Sequence, residues 1–160
     1  MKNSAILLAA AFMSITGCRP SDDDIRRIVR EELSAPASKT IIKPVDVIGP
    51  YSPAVKVGNF LFVSGQIALD PATGKLVNDS IETETRQVLV NLFRILQAAG
   101  YDSSHVISAT VYLKNINDYQ KMNEVYGSSF PEGRYPARVA LEVGNLPRAA
   151  NVEIAAIAYK

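Results

Sequence analysis

The last segment of the sequence, Val152–Tyr159, constrains the fold more strongly than any other because it is almost continuously apolar. A strand with one face in water alternates polar and apolar residues, whereas a continuous apolar run is typical of a strand covered on both faces. We therefore predict that this segment is a central strand of a sheet. Glu153 interrupts the run, and a charged group in such a strand must be paired or must face a ligand.

Further strands are predicted before this segment. Residues 54–57 and 60–63, joined by Gly58-Asn59, have the pattern of a β-hairpin with a two-residue turn. Residues 106–113 and 139–143 are also expected to be strands.

Two helices are predicted between the strands. Asp79 with Glu82 can form a capping arrangement at the start of the first, and Gly100 ends it. Asn117 is expected to cap the second. The apolar positions expected to face the core are Ile81, Val88, Leu89, Leu92, Phe93, Leu96, Ala99, Met122, Val125 and Tyr126. The order β-β-α-β-α-β-β predicts an α+β or mixed α/β layer with both helices on one face.

Composition narrows the classes of function. The chain has 160 residues and a formal net charge of +1. It contains no run of Lys or Arg, so we expect no nucleic-acid partner. A single Cys and a single His exclude a disulfide within the chain and a Cys/His metal cluster. The lone histidine, His105, is expected to be a solvated loop residue.

Residues 1–17 predict a signal peptide. A basic start at Lys2 precedes an apolar core over residues 4–13 that is too short to span a bilayer. Residues 15–18, Ile-Thr-Gly-Cys, resemble the lipobox of bacterial lipoproteins, which implies that Cys18 is lipidated. We therefore expect a chain on the periplasmic side of a bacterial cell envelope, held to a membrane through lipid on Cys18. The alternative is an N-terminal core helix with a buried free cysteine.

Residues 18–40 predict a stalk or linker helix between the signal peptide and a domain at residues 41–160. Ser21 and the three aspartates after it make a strong helix start. Ile25, Ile28, Val29 and Leu33 then share one helical stripe. Such a helix is either a spacer that can self-associate or an element that packs on the domain, and so few apolar positions leave both open.

Three patches place polar groups beside residues that set the backbone. Residues 49–53 form a rigid turn that presents Tyr51. Residues 64–66 end an apolar strand, where Gly65 lets a ligand approach the backbone. In the third patch, residues 135–138, Arg138 enters an otherwise apolar strand.

Arg138 and Glu153 can be interpreted in two ways. They are either a structural ion pair or two groups that face a ligand, and their positions in the sequence slightly favour the pair. Arginine is nevertheless the residue best suited to a bidentate grip on a carboxylate.

Several motifs together resemble the RidA (YjgF-type) family. They cover essentially residues 43–160, in the family's order and at compatible spacing. These motifs are Gly49-Pro50-Tyr51-Ser52, Val63-Ser64-Gly65-Gln66-Ile67, Asp70-Pro71-Ala72-Thr73-Gly74, Thr85-Arg86-Gln87-Val88-Leu89-Val90-Asn91-Leu92, Asn123-Glu124-Val125-Tyr126, Tyr135-Pro136-Ala137-Arg138 and Val152-Glu153-Ile154-Ala155-Ala156-Ile157-Ala158.

The resemblance implies a chorismate-mutase-like fold in a homotrimer whose sheets form a central barrel, with a ligand pocket at each subunit interface. It further implies hydrolysis of 2-aminoacrylate and related enamines or imines to 2-keto acids and ammonia, without a metal or organic cofactor. The expected substrate is a small molecule that carries a carboxylate.

The resemblance also implies roles for individual residues. Arg138 would clamp the substrate carboxylate, Glu153 would order and activate the attacking water, and Tyr51 would hydrogen bond near the nitrogen. The residues expected to line the pocket are Ser64, Gly65 and Asn123. The sequence departs from the family at Ala140, where many members have a reactive cysteine, and at Ala155, where an acidic residue is common.

Two other functions fit the same residues. The pocket could capture a carboxylate metabolite at the envelope without turnover. Alternatively, the stalk and the trimer could mainly display a surface, in which case deletion of residues 21–33 would matter more than mutation of Arg138.

Overall fold

The computed structural model describes residues 21–34 and 38–160. The predicted signal peptide and the lipidation site at Cys18 lie outside the described residues. The chain divides into two compact units, and the second is Ser38–Lys160.

In the first unit, the described residues form helix α1, Asp22–Ser34. The Ser21 hydroxyl accepts a hydrogen bond from the Asp24 backbone N–H at 3.2 Å, and the Asp24 carboxylate accepts one from the Ser21 hydroxyl at 2.7 Å. This reciprocal cap and the acidic first turn explain why the helix begins where the sequence predicted. Across the two described stretches, no helix is both long and apolar enough to cross a membrane.

The second unit is built on a six-stranded sheet. The strands are β1 Lys39–Ile42, β2 Ala54–Val57, β3 Phe60–Gln66, β4 Val106–Leu113, β5 Ala137–Glu142 and β6 Val152–Tyr159. Their order across the sheet is β1-β2-β3-β6-β4-β5. The predicted central position of β6 is confirmed, since it pairs with β3 on one side and β4 on the other.

Most neighbouring strands run antiparallel, and β4 with β5 is the parallel pair. The predicted hairpin is confirmed: β2 and β3 pair across Gly58-Asn59, where Gly58 has a φ of 57° that favours glycine. The edge strand β1 was not in the predicted order.

Two helices cross one face of this sheet. Helix α2 is Ile81–Ala98 and helix α3 is Tyr119–Ser128. Helix α2 lies against β3, β6 and α3. The apolar residues predicted for these helices are buried or packed against the core, and the predicted α+β class with two helices on one face is confirmed.

Both predicted helix starts need correction. Ser80, not Asp79, caps α2, because its hydroxyl accepts from the Thr83 backbone N–H at 3.2 Å. Helix α3 begins at Tyr119 rather than behind Asn117. The Asn115 side chain instead caps a short 3-10 turn at Ile116–Asp118, which leads into α3.

Strand register separates the side chains of the sheet into two faces. In β6, Val152, Ile154, Ala156 and Ala158 are buried beneath the helices. The intervening residues therefore point to the other side, which no described helix covers and which we call the open face. The large apolar side chains exposed on the open face are Ile41, Phe60, Phe62, Val139, Leu141 and Tyr159.

Candidate active site

Glu153 stands at one end of the open face, next to a small cavity. As the second residue of β6 it alternates with buried Val152 and Ile154, so its side chain leaves the core. The cavity has a volume of about 260 Å³. Its lining residues are Ile48, Tyr51, Ser64, Gly65, Ile67, Pro147 and Glu153. The structure therefore brings together four of the residues predicted for the site, and we call them the acid half-site: Tyr51, Ser64, Gly65 and Glu153.

An irregularity in β3 makes room for the Glu153 carboxylate. Val63 pairs with Ala156 and Gln66 with Ile154, so β3 has one more residue than β6 between these pairs. Such a bulge redirects side chains beside it. Gly65 lies in the bulge, and a Cβ placed on it would be 2.8 Å from Cδ of Glu153. The carboxylate occupies the space that a side chain at position 65 would need.

Hydrogen bonds fix the loop that carries Tyr51 to the end of β3. The Ser64 hydroxyl donates to the Ser52 carbonyl oxygen at 2.7 Å, and the Ser64 backbone N–H donates to the Pro53 carbonyl oxygen at 3.0 Å. The Tyr51 side chain remains 43% exposed at the mouth of the cavity. Its hydroxyl is thus available to a bound molecule, while its backbone is held in place.

Burial raises the pKa of the Glu153 carboxyl above its ordinary value. Neither a hydrogen bond nor an ion pair to this carboxylate occurs among the described residues of the chain. A half-buried carboxylate with a raised pKa is a suitable proton acceptor near neutral pH, since its conjugate acid is weaker than that of an exposed one.

Arg138 lies elsewhere, between β5 and helix α3. Its guanidinium carbon is 4.5 Å from the centre of the Tyr126 ring and 5.7 Å from that of Tyr119. Its Nη2 is 3.4 Å from the Tyr119 hydroxyl, and its Nη1 is 3.9 Å from Sδ of Met122. Stacked rings orient the guanidinium without neutralising it. No acidic side chain within the described residues pairs with Arg138.

Polar atoms around Arg138 also lack partners. Asn123 Oδ1 and the Tyr126 hydroxyl are buried and accept or donate no hydrogen bond within the described part of the chain. Burial raises the pKa of Tyr126 to about 12, so this phenol stays protonated. A hydrogen bond with the Asn123 side chain, and then the charge of Arg138, lower the pKa of Tyr119. We call Arg138, Tyr119, Met122, Asn123 and Tyr126 the arginine half-site.

The alternative of an Arg138–Glu153 ion pair within one chain is wrong. Arg138 is paired with Ala109 of β4, and Glu153 with Tyr112 of the same strand. Positions 109 and 112 differ by an odd number, so their side chains, and those of their partners, point to opposite faces of the sheet. Arg138 lies on the helix side and Glu153 on the open face. The sequence showed two unusual charges, but their relative position depends on register.

Sequence reasoning missed Tyr119 and Met122 as neighbours of Arg138, and placed Tyr126 only in the core. A signal for them exists, because Tyr119, Met122, Asn123 and Tyr126 follow the i, i+3, i+4, i+7 spacing of one helical face. His105, by contrast, is bound to Asp102 in a turn before β4 and lines neither half-site. Within residues 21–34 and 38–160, no cluster of three or more His, Cys, Asp or Glu could hold a metal ion.

Comparison with known proteins gives consistent results. Residues 41–160 match the sequence profile of a family described as Endoribonuclease L-PSP. A RutC family protein of Pyrococcus horikoshii is 58% identical over 113 residues, which cover 71% of this chain and 89% of that protein. A mouse protein named 2-iminobutanoate/2-iminopropanoate deaminase is 48% identical over 71% of this chain and 83% of its own length.

The fold has close counterparts among solved structures. Escherichia coli TdcF, solved with bound serine, superimposes with a TM-score of 0.72 at 36% identity. The match covers 76% of this chain and 98% of the TdcF chain. The family match, residues 41–160, lies within the second compact unit, and the structural match covers a similar share of the chain.

Proposed function

This chain belongs to the endoribonuclease L-PSP family, which includes the RidA-type proteins, and from that premise we propose that it is a hydrolytic deaminase of small 2-imino and enamino acids. The observation that carries the proposal is the division of the site. One half-site presents a guanidinium that has no acidic partner among the described residues, and the other presents a half-buried carboxylate beside an open cavity. These are the two groups that hydrolysis of a carboxylate-bearing imine requires.

Arg138 binds the substrate carboxylate in this proposal. Its guanidinium is held against the Tyr126 ring and forms no ion pair with an acidic side chain among the described residues. Two parallel N–H groups can then donate to the two oxygens of the substrate, a geometry that fixes both position and orientation. Asn123 and Tyr126 offer further polar atoms beside it. TdcF, which has a similar fold, was solved with bound serine, and serine, like the proposed substrates, is a small molecule with a free carboxylate.

Glu153 acts on water. Its carboxylate accepts a proton as the water oxygen bonds to the imine carbon and the C=N π electrons move to nitrogen. Glu153 then passes this proton to the nitrogen, which gives a neutral carbinolamine. In the second step Glu153 takes the proton of the carbinolamine hydroxyl and delivers it to the nitrogen, so that the C–N bond breaks, ammonia leaves and the C=O bond forms. The net reaction consumes one imine and one water and yields a 2-keto acid and ammonia. Tyr51, exposed at the cavity mouth, hydrogen bonds near the nitrogen. Such proton management contributes typically about 10²- to 10⁴-fold to a rate.

Because Arg138 and Glu153 point to opposite sides of one sheet, we propose that a complete site combines half-sites from two copies of the chain. The exposed apolar side chains on the open face, among them the adjoining rings of Phe60, Phe62 and Tyr159, support self-association, since monomeric proteins rarely expose large contiguous apolar patches. A homotrimer with three interfacial sites, whose open faces form the wall of a central barrel, satisfies both observations.

The description of the family also mentions endoribonuclease activity. The net charge of +1 and the absence of Lys or Arg runs offer little electrostatic attraction to RNA phosphates. The only histidine, His105, hydrogen bonds within its own turn and lines neither half-site. The composition therefore favours the deaminase.

The proposal is tested by generating 2-iminopropanoate in the assay with an amino-acid oxidase and measuring ammonia and keto-acid release. We expect Arg138→Ala to reduce kcat/KM by about 100-fold, because charged hydrogen bonds to the carboxylate are lost. Lys121→Ala is the matched control, since this exposed cation pairs with Glu82 and with no other acidic group in the described part of the chain. Full activity of Arg138→Ala would contradict the proposal. If the wild type bound a small 2-keto or amino acid saturably but did not turn over 2-iminopropanoate, it would instead be a binding module.

We further propose, from residues 1–18 alone, that the chain is a lipoprotein of the cell envelope. Incorporation of a labelled fatty acid into the wild type but not into Cys18→Ser, in a bacterial host, is the expected result. An unlabelled wild type in the soluble fraction would contradict it.

A further inference from the structure

Glu84 of helix α2 is a fully buried carboxylate, with an exposure of 0%. Its oxygens accept hydrogen bonds from the Asn151 backbone N–H at 2.6 Å, the Asn151 side-chain amide at 2.8 Å and the Val152 backbone N–H at 3.4 Å. No cation pairs with it among the described residues. A buried carboxylate is retained only when hydrogen bonds satisfy it, and all three come from the point where β6 begins.

The backbone held by Glu84 leads directly into Glu153. Asn151 and Val152 are the two residues before it, so fixing their amides fixes where the Glu153 side chain leaves the strand. The segment before them is a short 3-10 turn, Pro147–Ala149, closed by one hydrogen bond from the Ala150 N–H to the Pro147 carbonyl oxygen at 3.1 Å. Arg148 and Ala149 both have a φ of 58°, a left-handed conformation that is strained for residues with a Cβ. The contacts of Glu84 oppose relaxation of this loop at the entrance to β6.

The position of the Glu153 carboxylate is tightly restricted by the β3 backbone beside it. Its carboxylate fills the space beside Gly65 in which even a single Cβ would be 2.8 Å from Cδ. A shift of β6 along its axis would drive the carboxylate into the β3 backbone or away from the cavity. Misplacement of a reacting group by about 1 Å can cost about 100-fold in rate.

We propose that Glu84 is a positioning residue for the hydrolysis proposed above: it holds the start of β6 so that the Glu153 carboxylate lies in the slot beside Gly65. This inference rests on the proposed function. Glu84 does not touch the cavity or a substrate. The positioning of β6 depends on a Glu84 side-chain oxygen that reaches the Asn151 N–H, and not on the negative charge of Glu84.

A pair of conservative variants separates reach from charge. Glu84→Gln keeps the length of the side chain. Its Oε1 can accept from the Asn151 N–H, and its NH₂ can donate to the Asn151 side chain once that amide flips. Glu84→Asp keeps the charge but shortens the side chain by about 1 Å or more, so the 2.6 Å hydrogen bond is broken.

We expect kcat for 2-iminopropanoate to stay within about twofold of the wild type in Glu84→Gln and to fall by about 10- to 100-fold in Glu84→Asp. KM should change by less than about threefold in both, because Arg138 binds the carboxylate from the other half-site. Amide hydrogen exchange of Asn151 and Val152 should become faster in Glu84→Asp but not in Glu84→Gln.

Ile95→Ala is the control for an effect of lost stability on kcat. Ile95 is a fully buried residue near the other end of the same helix from Glu84. All variants are assayed well below their unfolding temperatures, and Ile95→Ala is expected to keep the wild-type kcat. If Glu84→Asp does not fold, Asn151→Ala removes the 2.8 Å side-chain bond alone, and kcat should fall by about two- to fivefold.

Three results would overturn the positioning role while the wild type remains active. The first is an unchanged kcat in Glu84→Asp, or in Asn151→Ala if Glu84→Asp does not fold. The second is an equal loss of kcat in Glu84→Gln and Glu84→Asp, and the third is a loss of kcat in Ile95→Ala equal to that in Glu84→Asp. A wild type that does not hydrolyse the imine would overturn the proposed function and with it this inference. The two failures are therefore distinguishable by the wild-type assay.

Discussion

A single carbon added at Gly65 would collide with the side chain that handles water in the proposed reaction. The position lies in the β3 bulge, where a Cβ would be 2.8 Å from Cδ of Glu153. Gly65→Ala is therefore expected to displace the carboxylate and to lower kcat by about 100-fold or more, which approaches the full contribution of a general base. Steady-state kinetics with an in situ generated imine measure the effect.

The matched control is Gly127→Ala in helix α3. Apart from its chain neighbours and the backbone of its own helix, no atom of the described residues lies within 4 Å of a Cβ at this position, and its φ is not in the left-handed region. Alanine there should stabilise the protein by about 0.5–1 kcal/mol, since glycine is a poor helix residue, and should leave kcat unchanged. A Gly65→Ala variant as active as Gly127→Ala would show that the carboxylate does not work from its position beside Gly65.

At the scale of elements, the turn Pro147–Ala149 before β6 stores strain that glycine can relieve. Ala149 has a φ of 58°, whereas its neighbour Ala150 has a φ of −64° and is buried. Ala149→Gly is expected to raise the free energy of unfolding by about 1 kcal/mol, because the left-handed region costs a residue with a Cβ about that much. Urea denaturation at equilibrium gives the difference.

Ala150→Gly provides the opposite expectation one residue later. Glycine at an ordinary φ only adds freedom to the unfolded chain and leaves a small gap in the core, so the free energy of unfolding should decrease by about 1 kcal/mol. If both substitutions changed the free energy of unfolding in the same direction, the assignment of strain to position 149 would be contradicted.

Elements with a strong local signal could be predicted from the sequence. The apolar run of β6 and the Gly58-Asn59 hairpin were located correctly, because burial and turn chemistry determine them locally. The helix starts were displaced by one or two residues. Asp79 and Ser80 can both cap a helix, and the hydrogen bond from the Thr83 N–H identifies Ser80 as the cap that forms. Strand β1 has four largely exposed residues, too few for a periodic pattern.

The site could be predicted in part for a related reason. Arg138 and Glu153 were noticeable as charges in apolar strands. Tyr51 was noticeable as a polar group in a rigid turn, and Ser64 as a polar group at a strand end beside Gly65, which lets a ligand approach the backbone. Which of them meet depends on the parallel pairing of β4 with β5 and on the β3 bulge. Register arises from the whole sheet, so the sequence of one strand could not reveal that the two charges lie on opposite sides.

At the scale of the whole molecule, the second unit is a sheet that helices cover on one side and that exposes several large apolar side chains on the other. The arginine half-site lies at the edge strand β5, and the acid half-site opens beside the open face. A ring in which the β5 edge of each copy meets the acid half-site of the next would cover the open faces and complete every site. Such a head-to-tail contact closes without leaving a free half-site.

This arrangement makes a quantitative prediction for mixtures of two inactive variants. Arg138→Ala retains an intact acid half-site, and Glu153→Gln retains an intact arginine half-site. When equal amounts are unfolded together and refolded, a site is active only if each half comes from the copy that kept it. Random assembly of a closed ring therefore restores about one quarter of the wild-type activity.

Each variant refolded alone is the control, as is a mixture made without unfolding, and both should stay inactive if exchange between assembled rings is slow. A site contained in a single chain would instead leave the refolded mixture as inactive as its components, because every copy would carry one defective group. Recovery near one quarter would thus support both the division of the site and the closure of the assembly. No recovery would refute the shared site, even if each variant had lost activity as expected.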